Sequence, residues 1–433
     1  MDAPLKSSAY LRLIAFAAVI GVPAAVLAAA FISVARLVTD WLWKDLPRAL
    51  GHGSPPWYLV LGLPVVGALL VLAARTVLPG DGGHDPIRGF NTTPTAVRYV
   101  PGVFLAALAT LGFGAVLGPE APVIALGSAV GMALTRFVGK HPRETAMLSN
   151  AGSYSAISAL FGGPIVAGMF LVEGGVGLGA ALLPALVPGL VAAAIGYVVF
   201  LGLGNWPGLA APGLDVPDLP DYRGTHLADL LIAVVVGLAA ALLMLAVRTV
   251  SGRVHGLRPR VGMPGLLVAG GLAVGGLALL GRALGADSQD VLFSGQNSVG
   301  TVVDSTSTTV VVVLLVTKFL AYAICLGCGF RGGPIFPAIF LGVALASLAV
   351  VWFDTSPTLA MAVGAAAGMA AGTRLLFTPL IFGALLVGTA GRDTVSAAAL
   401  ASAAAWVATY AIDRRANAPA TAAPAPTLSG GTS

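Results

Sequence analysis

Long apolar segments recur along almost the whole of this chain and limit its fold more than any other feature. A bilayer core of about 30 Å needs roughly 20 helical residues to cross it. Of the 433 residues, 57% are hydrophobic and 9% are charged, whereas soluble domains carry roughly 25% charged residues. We therefore expect an all-α, polytopic integral membrane protein. The candidate segments are 11–38, 57–78, 100–117, 122–138, 146–160, 164–179, 181–203, 227–250, 264–282, 309–328, 335–353, 358–374, 378–390 and 394–412.

Two short patterns repeat at one constant offset. Pro122–Gly127 and Pro337–Gly342 share P-x-I-x-L-G, and Pro164–Gly168 and Pro379–Gly383 share P-[IL]-x-x-G. Each second copy lies 215 residues after the first. The equal offset predicts two homologous halves of inverted topology.

The predicted division of the chain follows from its composition. The first half is 1–215 and the second is 216–415, with the boundary in the polar, Pro-rich stretch around Pro212 to Thr225. Residues 416–433 are rich in Ala, Pro, Thr and Gly, which predicts a disordered tail.

Corresponding short segments of the two halves point to a binding site at the membrane midplane. Segments 122–138 and 335–353 are each entered through Gly and Pro, so we expect broken and re-entrant helices that begin inside the membrane. A helix that begins there directs its free N–H groups and the positive end of its dipole at the cavity between the halves. Two such ends predict an anion site that needs no basic side chain.

Glu120 is the acid that most deserves a functional hypothesis. Apolar and small residues flank it on both sides, and an ionisable group inside a membrane is costly enough to suggest function. At a helix start, its carboxylate and an anion would compete for one electropositive pocket, so protonation would release the pocket to the anion. The alternative is an acid that only caps its helix.

Basic residues indicate the orientation in the membrane. Arg248, Arg253, Arg258 and Arg260 form a predicted loop without acids, and such loops are cytoplasmic. Basic residues near both ends of the chain predict cytoplasmic termini in a bacterial-type cell membrane. Cys325 and Cys328 are interpreted as small core residues.

The run Gly114-Ala-Val-Leu-Gly118-Pro-Glu120-Ala-Pro122 resembles the G-x-x-x-G-R-E-G-P segment of the chloride channel and chloride/proton antiporter (CLC) family. The resemblance assigns Glu120 as the gating glutamate and puts Gly118 and Ala121 at the anion site. Pro119 replaces the Arg of the family pattern, and Ala121 replaces its second Gly.

A second run, Gly327-Cys-Gly-Phe-Arg-Gly-Gly333-Pro-Ile-Phe-Pro337, resembles the G-S-G-x-x-G-G-x-F-x-P part of a family segment that here begins at Lys318. Backbone N–H groups after the paired glycines bind the central chloride in that family. The resemblance therefore assigns anion binding to Gly333, Ile335 and Phe336. Pro334 cannot donate, so one family donor is lost.

Two further parts of the resemblance leave alternatives open. Glu173 falls on or beside the internal proton-transfer glutamate of the family, and the alternative is a helix-end acid. His84, in Gly82-Gly-His-Asp-Pro86, occupies the place of the family's chloride-binding Ser. It could donate to an anion or cap its turn with Asp85. The family's chloride-binding Tyr has no counterpart, since Tyr410 lies within the last segment.

These patterns predict transmembrane transport of a small anion, with chloride favoured, coupled to protons through Glu120. A passive anion channel, or a transporter of another anion such as fluoride or nitrate, is the alternative. The family resemblance implies a homodimer embedded in lipid. We expect no enzymatic activity, cofactor, metal ion or nucleic-acid partner.

Overall fold

The computed structural model describes residues 7–89, 93–137, 142–205, 208, 216 and 219–416. Helices account for most of these residues, and no β-strand is formed among them. The all-α prediction is therefore confirmed. Residues 212–215, 217 and 218 of the predicted dividing stretch, and the predicted tail beyond Ala416, lie outside the described residues.

Seventeen α-helices follow one another in the described part of the chain. They are α1 Ser7–Asp40, α2 Leu46–Ala49, α3 Trp57–Val77, α4 Val100–Gly112, α5 Glu120–Leu134, α6 Pro142–Leu160, α7 Pro164–Gly174, α8 Leu182–Leu201, α9 Leu227–His255, α10 Arg258–Ala283, α11 Ser288–Val291, α12 Val299–Val303, α13 Thr308–Cys328, α14 Ile335–Phe353, α15 Pro357–Thr373, α16 Phe377–Leu386 and α17 Val395–Ala416.

Both long and short apolar helices occur in this fold. Eight helical segments of the described residues are long and apolar enough to cross a membrane. By contrast, α4, α7 and α16 have 13, 11 and 10 residues, which gives lengths of roughly 15–20 Å. These three helices are too short to cross alone, as expected of helices that begin or end within the membrane.

Two of the predicted boundaries are wrong for identifiable reasons. Helix α4 ends at Gly112 rather than at residue 117, and Gly114 then adopts a positive φ of +90° that redirects the chain. The predicted basic loop Arg248–Arg260 is mostly helix. Only Gly256 and Leu257 separate α9 from α10, so the arginines lie on helix ends.

The stretch 283–308, which connects α10 to α13, is largely folded into the protein. Val291, Leu292 and Val302 are fully buried. The ammonium of Lys318 on α13 donates to the carbonyl oxygens of Asp290 and Leu292, each at 2.7 Å. These two hydrogen bonds tie α11 to α13, which explains why this connection does not lie free on the surface.

The repeat found in the sequence has a structural counterpart. Helix α5 begins at Glu120 and α14 at Ile335, which are 215 residues apart. Helix α5 packs against α6, and α14 packs in the same way against α15. The division at 215/216 itself stays a prediction.

Candidate functional site

Two loops of matching conformation meet in the protein interior. The loop Gly114–Glu120 leads into α5, and the loop Gly329–Ile335 leads into α14. Their first glycines have φ values of +90° and +88°. Gly118 and Gly333 exchange both backbone hydrogen bonds, at 2.7 and 2.6 Å. This pairing brings the N-termini of α5 and α14 together, as the equal offset predicts.

The Glu120 side chain occupies the N-terminus of α14. It is fully buried. Its Oε1 accepts hydrogen bonds from the backbone N–H groups of Ile335 and Phe336, the second at 2.9 Å. These are the two donors assigned to an anion by the family resemblance, so in this state a carboxylate holds the predicted anion position.

The second carboxylate oxygen of Glu120 is in a different environment. Oε2 is buried and makes no hydrogen bond within the described residues. A buried carboxylate oxygen normally has a partner, because an unsatisfied one costs free energy. Glu120 is therefore held by one oxygen only, which favours a side chain that can leave this position.

Gly118 and Gly333 give the carboxylate its space. A Cβ atom built on either glycine would overlap the Glu120 carboxyl group. No larger residue fits at these two positions while Glu120 stays in place, which is a local reason for both glycines.

Cavities lie on two sides of Glu120. The first has a volume of about 410 Å³ and is bounded by Leu117 and Pro119 together with residues of 32–44 and 287–298. It is named the outer cavity, and the spaces on the other side are named inner, after the orientation that the basic residues predict. On the other side, Ala121 and Pro122 line a crevice of about 10 Å³. That volume is close to the minimum for one water molecule.

The crevice continues into a wider space. Gly83, His84 and Arg331 line both the crevice and an inner vestibule of about 450 Å³. Arg258, at the start of α10, also lines the inner vestibule, whereas the outer cavity is bounded by residues that follow the end of α10. The two wide spaces therefore lie at opposite ends of a helix that can span the membrane, with Glu120 between them.

Glu173 lies at the start of another helix. Its Oε1 accepts from the N–H groups of Leu376 and Phe377 at 2.6 and 2.9 Å. Its Oε2 accepts from the N–H and the hydroxyl of Thr378 at 2.7 and 2.5 Å. Glu173 thus caps the start of α16 with four hydrogen bonds, although it lies near the end of its own helix, α7.

His84 stabilises the backbone turn to which it belongs. Its Nε2 lies 2.8 Å from the carbonyl oxygen of Gly89, which can only accept, so Nε2 donates. The ring also borders the inner crevice near Ala121. His84 is half-buried and closes the 84–89 turn, while its role towards an anion stays a prediction.

An aromatic cluster beside the site has no counterpart in the sequence argument. Phe161 stacks on Phe336 with ring centroids 5.3 Å apart and also contacts Phe170 and Phe382. Phe161 directly follows α6, and tertiary packing brings it next to the donor Phe336. The spacing of a motif along the sequence would not have predicted this contact.

A charged cluster under the inner vestibule was also not anticipated. Arg75 binds Asp81 through two hydrogen bonds, and Arg331 binds both the carboxylate and the carbonyl oxygen of Asp81. Burial alone would raise the pKa of Asp81, but hydrogen bonds and positive charge from Arg75 and Arg331 outweigh it and lower the pKa. The stability from this cluster is therefore present above the ordinary pKa of Asp81 and is lost only in stronger acid.

Comparisons with known proteins agree with this geometry. The family model for the voltage gated chloride channel matches residues 81–409. The ion-transport protein YfeO of Salmonella newport (strain SL254) is 31% identical over 348 residues, covering 76% of this chain and 78% of that protein. YfeO of Escherichia coli O7:K1 (strain IAI39 / ExPEC) is 32% identical over 343 residues, covering 76% and 77%.

Solved structures share the fold at low sequence identity. A slow cyanobacterial Cl⁻/H⁺ antiporter has a TM-score of 0.72 and 18% identity over 95% of this chain and 96% of that one. A CLC-type fluoride/proton antiporter has a TM-score of 0.71 and 20% identity over 93% and 96%. The family match over most of the chain, the relatives and the fold agree, so this chain is a multi-pass membrane protein that belongs to the voltage gated chloride channel family, a family of anion transporters and channels rather than enzymes.

Proposed function

We propose that the chain exchanges a small inorganic anion, with chloride as the first candidate, for protons, and that Glu120 is the gate. The observation that carries this proposal is the Glu120 carboxylate bound to the N–H groups of Ile335 and Phe336 between two cavities. An ionised Glu120 excludes an anion from these donors by occupying them. A proton from the outer cavity removes its charge, the side chain leaves, and an anion takes over the donors.

The choice of a halide is supported by the chemistry of the donors. Two backbone N–H groups and a helix dipole can replace part of the hydration shell of a small anion without a fixed cationic side chain beside it. The two similar structures are a chloride/proton and a fluoride/proton antiporter. Fluoride is therefore the second anion to test.

An uncoupled anion pathway is the second candidate. Glu173 is the proposed inner proton carrier, yet its carboxylate holds four hydrogen bonds from α16. Proton transfer through Glu173 requires that some of these bonds be released. If they are not, Glu120 alone would gate the anion without a continuous proton route.

The inner vestibule is proposed to face the cytoplasm. Arg253, Arg258 and Arg260 cluster at the α9–α10 turn, which the positive-inside rule assigns to that side. Asp413 near the end of α17 pairs with Arg248 at 3.4 Å, so both lie at this same end. An impermeant thiol reagent should label Arg258→Cys only from the cytoplasmic side and Asn297→Cys, in the outer cavity, only from outside. The reverse pattern would overturn this orientation.

A homodimer is proposed on the family resemblance. Helices α7 and α16 carry exposed apolar side chains, among them Ile165 at 60% and Phe377 at 53% exposure, which suits either lipid or a second copy. The mass of the purified protein, corrected for bound detergent, decides between one and two chains.

Anion flux tests the proposed function directly. Purified protein in sealed liposomes loaded with chloride or fluoride should release the anion when the membrane potential is clamped by a potassium ionophore. Glu120→Ala should release it faster, because the carboxylate no longer occupies the site. Glu144→Gln, on α6, is the matched control and should behave like the unaltered chain. Absence of both chloride and fluoride release would contradict the proposal.

A further inference from the structure

Arg331 stands at the junction of the inner crevice and the inner vestibule. It belongs to the loop that leads into α14, at the position where the matching loop of the first half has Val116. Its side chain is only 3% exposed. Nε donates to the carbonyl oxygen of Asp81 at 2.9 Å, and Nη2 donates to Asp81 Oδ2 at 2.5 Å. Two of its three nitrogens are thus fixed in place.

The third nitrogen is not satisfied in the same way. Nη1 lies 3.2 Å from Oδ1 of Asp85, yet neither atom makes a hydrogen bond within the described residues. Buried charged groups normally complete their hydrogen bonds, because an incomplete pair costs free energy. The Asp85 contact is therefore an incomplete pair at a cavity wall, and a better acceptor could replace it.

The surroundings favour an anion as that acceptor. Arg88, Arg258 and Arg331 line the inner vestibule together with Asp81 and Asp85, so its fixed charges leave an excess of one positive charge. Arg75 adds a further positive charge behind Asp81. A cleft with one sign of charge in excess concentrates ions of the opposite sign.

We propose that Nη1 of Arg331 captures the transported anion on its inner path, and that the anion displaces Asp85 there before it passes the crevice to Glu120. This inference rests on the proposed function and deepens it. Competition from Asp85 has a physical purpose: a buried arginine alone would hold a small anion too strongly for rapid release. Asp85 is 20% exposed and can turn towards the vestibule when displaced.

Concentration dependence of transport tests the inference. Initial anion release from liposomes would be measured over a range of loaded chloride concentrations for the unaltered chain, Arg331→Gln, Arg331→Lys and Asp85→Asn. Loss of one charge-assisted hydrogen bond corresponds to roughly a tenfold change in affinity. Arg331→Gln should therefore raise the half-saturating chloride concentration about tenfold, and Arg331→Lys should raise it less.

Asp85→Asn should change the half-saturating chloride concentration in the opposite direction. Removing the competing charge should lower the half-saturating concentration by roughly threefold, a modest change because the displaced contact is an ion pair without a hydrogen bond. Arg223→Gln is the control, because Arg223 is 86% exposed and pairs with Asp221 away from the vestibule. A purely structural ion pair would make both vestibule variants change in the same direction, and that result would overturn the inference.

The possible outcomes distinguish a failure of the role of Arg331 from a failure of the proposed transport function. Anion release by the unaltered chain with an unshifted half-saturating concentration in Arg331→Gln overturns only the role of Arg331. If Arg331→Gln does not fold, Asp85→Asn decides alone, and an unchanged or raised value overturns the inference. No release of chloride or fluoride by the unaltered chain removes the proposed function and the inference together.

Discussion

At the residue scale, the proposed function depends on how the Glu120 carboxylate is held. Glu120 satisfies one oxygen with two backbone donors, and the other oxygen makes no hydrogen bond in the part of the chain that the structure describes. The N-terminal dipole of α14 stabilises the ionised side chain in this position. The same donors suit an anion, so under the proposed function the protonation of Glu120 decides which of the two occupies them.

Gly333→Ala should disturb this balance without removing any charged group. The new methyl group would overlap the Glu120 carboxyl, which must then leave the N-terminus of α14. Overpacking of this kind costs about 1–3 kcal/mol in stability. We expect faster anion release with weaker dependence on external pH, measured in liposomes alongside the melting temperature in detergent.

The control for this substitution is Gly276→Ala in α10. A Cβ atom on Gly276 meets nothing within 4 Å, and alanine stabilises a helix interior by about 1 kcal/mol relative to glycine. Gly276→Ala should therefore keep normal transport. Unaltered pH dependence in Gly333→Ala would argue against displacement of Glu120.

At the scale of elements, side chains from one helix complete the ends of another. Glu120 caps α14 across the two halves, and Glu173 on α7 caps α16. Lys318 on α13 holds the carbonyl oxygens at the end of α11 and lies 4.6 Å from the ring centre of Phe340 on α14. Short helices inside a membrane protein need such partners, because their terminal backbone groups have none of their own.

Glu173→Gln distinguishes a cap from a proton carrier. The amide keeps one acceptor oxygen but turns an N–H₂ group towards donors of α16, so we expect a stability loss of about 1 kcal/mol. Anion release should persist, while proton movement should stop if Glu173 carries protons. Thr378→Val, which removes only the hydroxyl donor, is the control for a loss of capping. Intact proton movement in Glu173→Gln would favour the cap alone.

Lys318→Met should destabilise the outer part of the protein. The substitution removes two charge-assisted hydrogen bonds and leaves the buried carbonyl oxygens of Asp290 and Leu292 without their donor. We expect a loss of about 3 kcal/mol, seen as a lower melting temperature. Lys44→Met is the comparison, because Lys44 is 58% exposed and its pair with Asp40 is worth less than about 1 kcal/mol. Equal melting temperatures for the two variants would contradict this role of Lys318.

The sequence predicts those structural features that depend on residues close together in the chain. Apolar length indicates the helices, and the shared P-x-I-x-L-G pattern indicates where α5 and α14 begin. It also indicates Glu120, because an acid within an apolar stretch is unusual. The Arg331–Asp85 contact, the Phe161–Phe336 stacking and the capping of α16 by Glu173 join residues far apart in the chain. A pattern within one segment of the sequence therefore cannot predict these contacts.

At the scale of the whole molecule, the proposed anion pathway consists of two spaces that each end at Glu120. The outer cavity ends at Leu117 and Pro119, and the inner crevice ends at Ala121 and Pro122. Glu120 separates them. While the Glu120 side chain stays bound to α14, it blocks the path between the two spaces. This geometry favours the proposed exchange of an anion and a proton over a continuous pore.

Proton movement driven by an anion gradient tests this account most directly. Liposomes containing the purified chain and an outward chloride gradient would be compared with the same liposomes carrying Glu120→Gln, with pH followed in a weakly buffered external solution. We predict proton uptake that accompanies chloride release in the unaltered chain, and chloride release without proton uptake in the variant. Proton uptake that persists unchanged in Glu120→Gln would contradict the assignment of Glu120 as the gate.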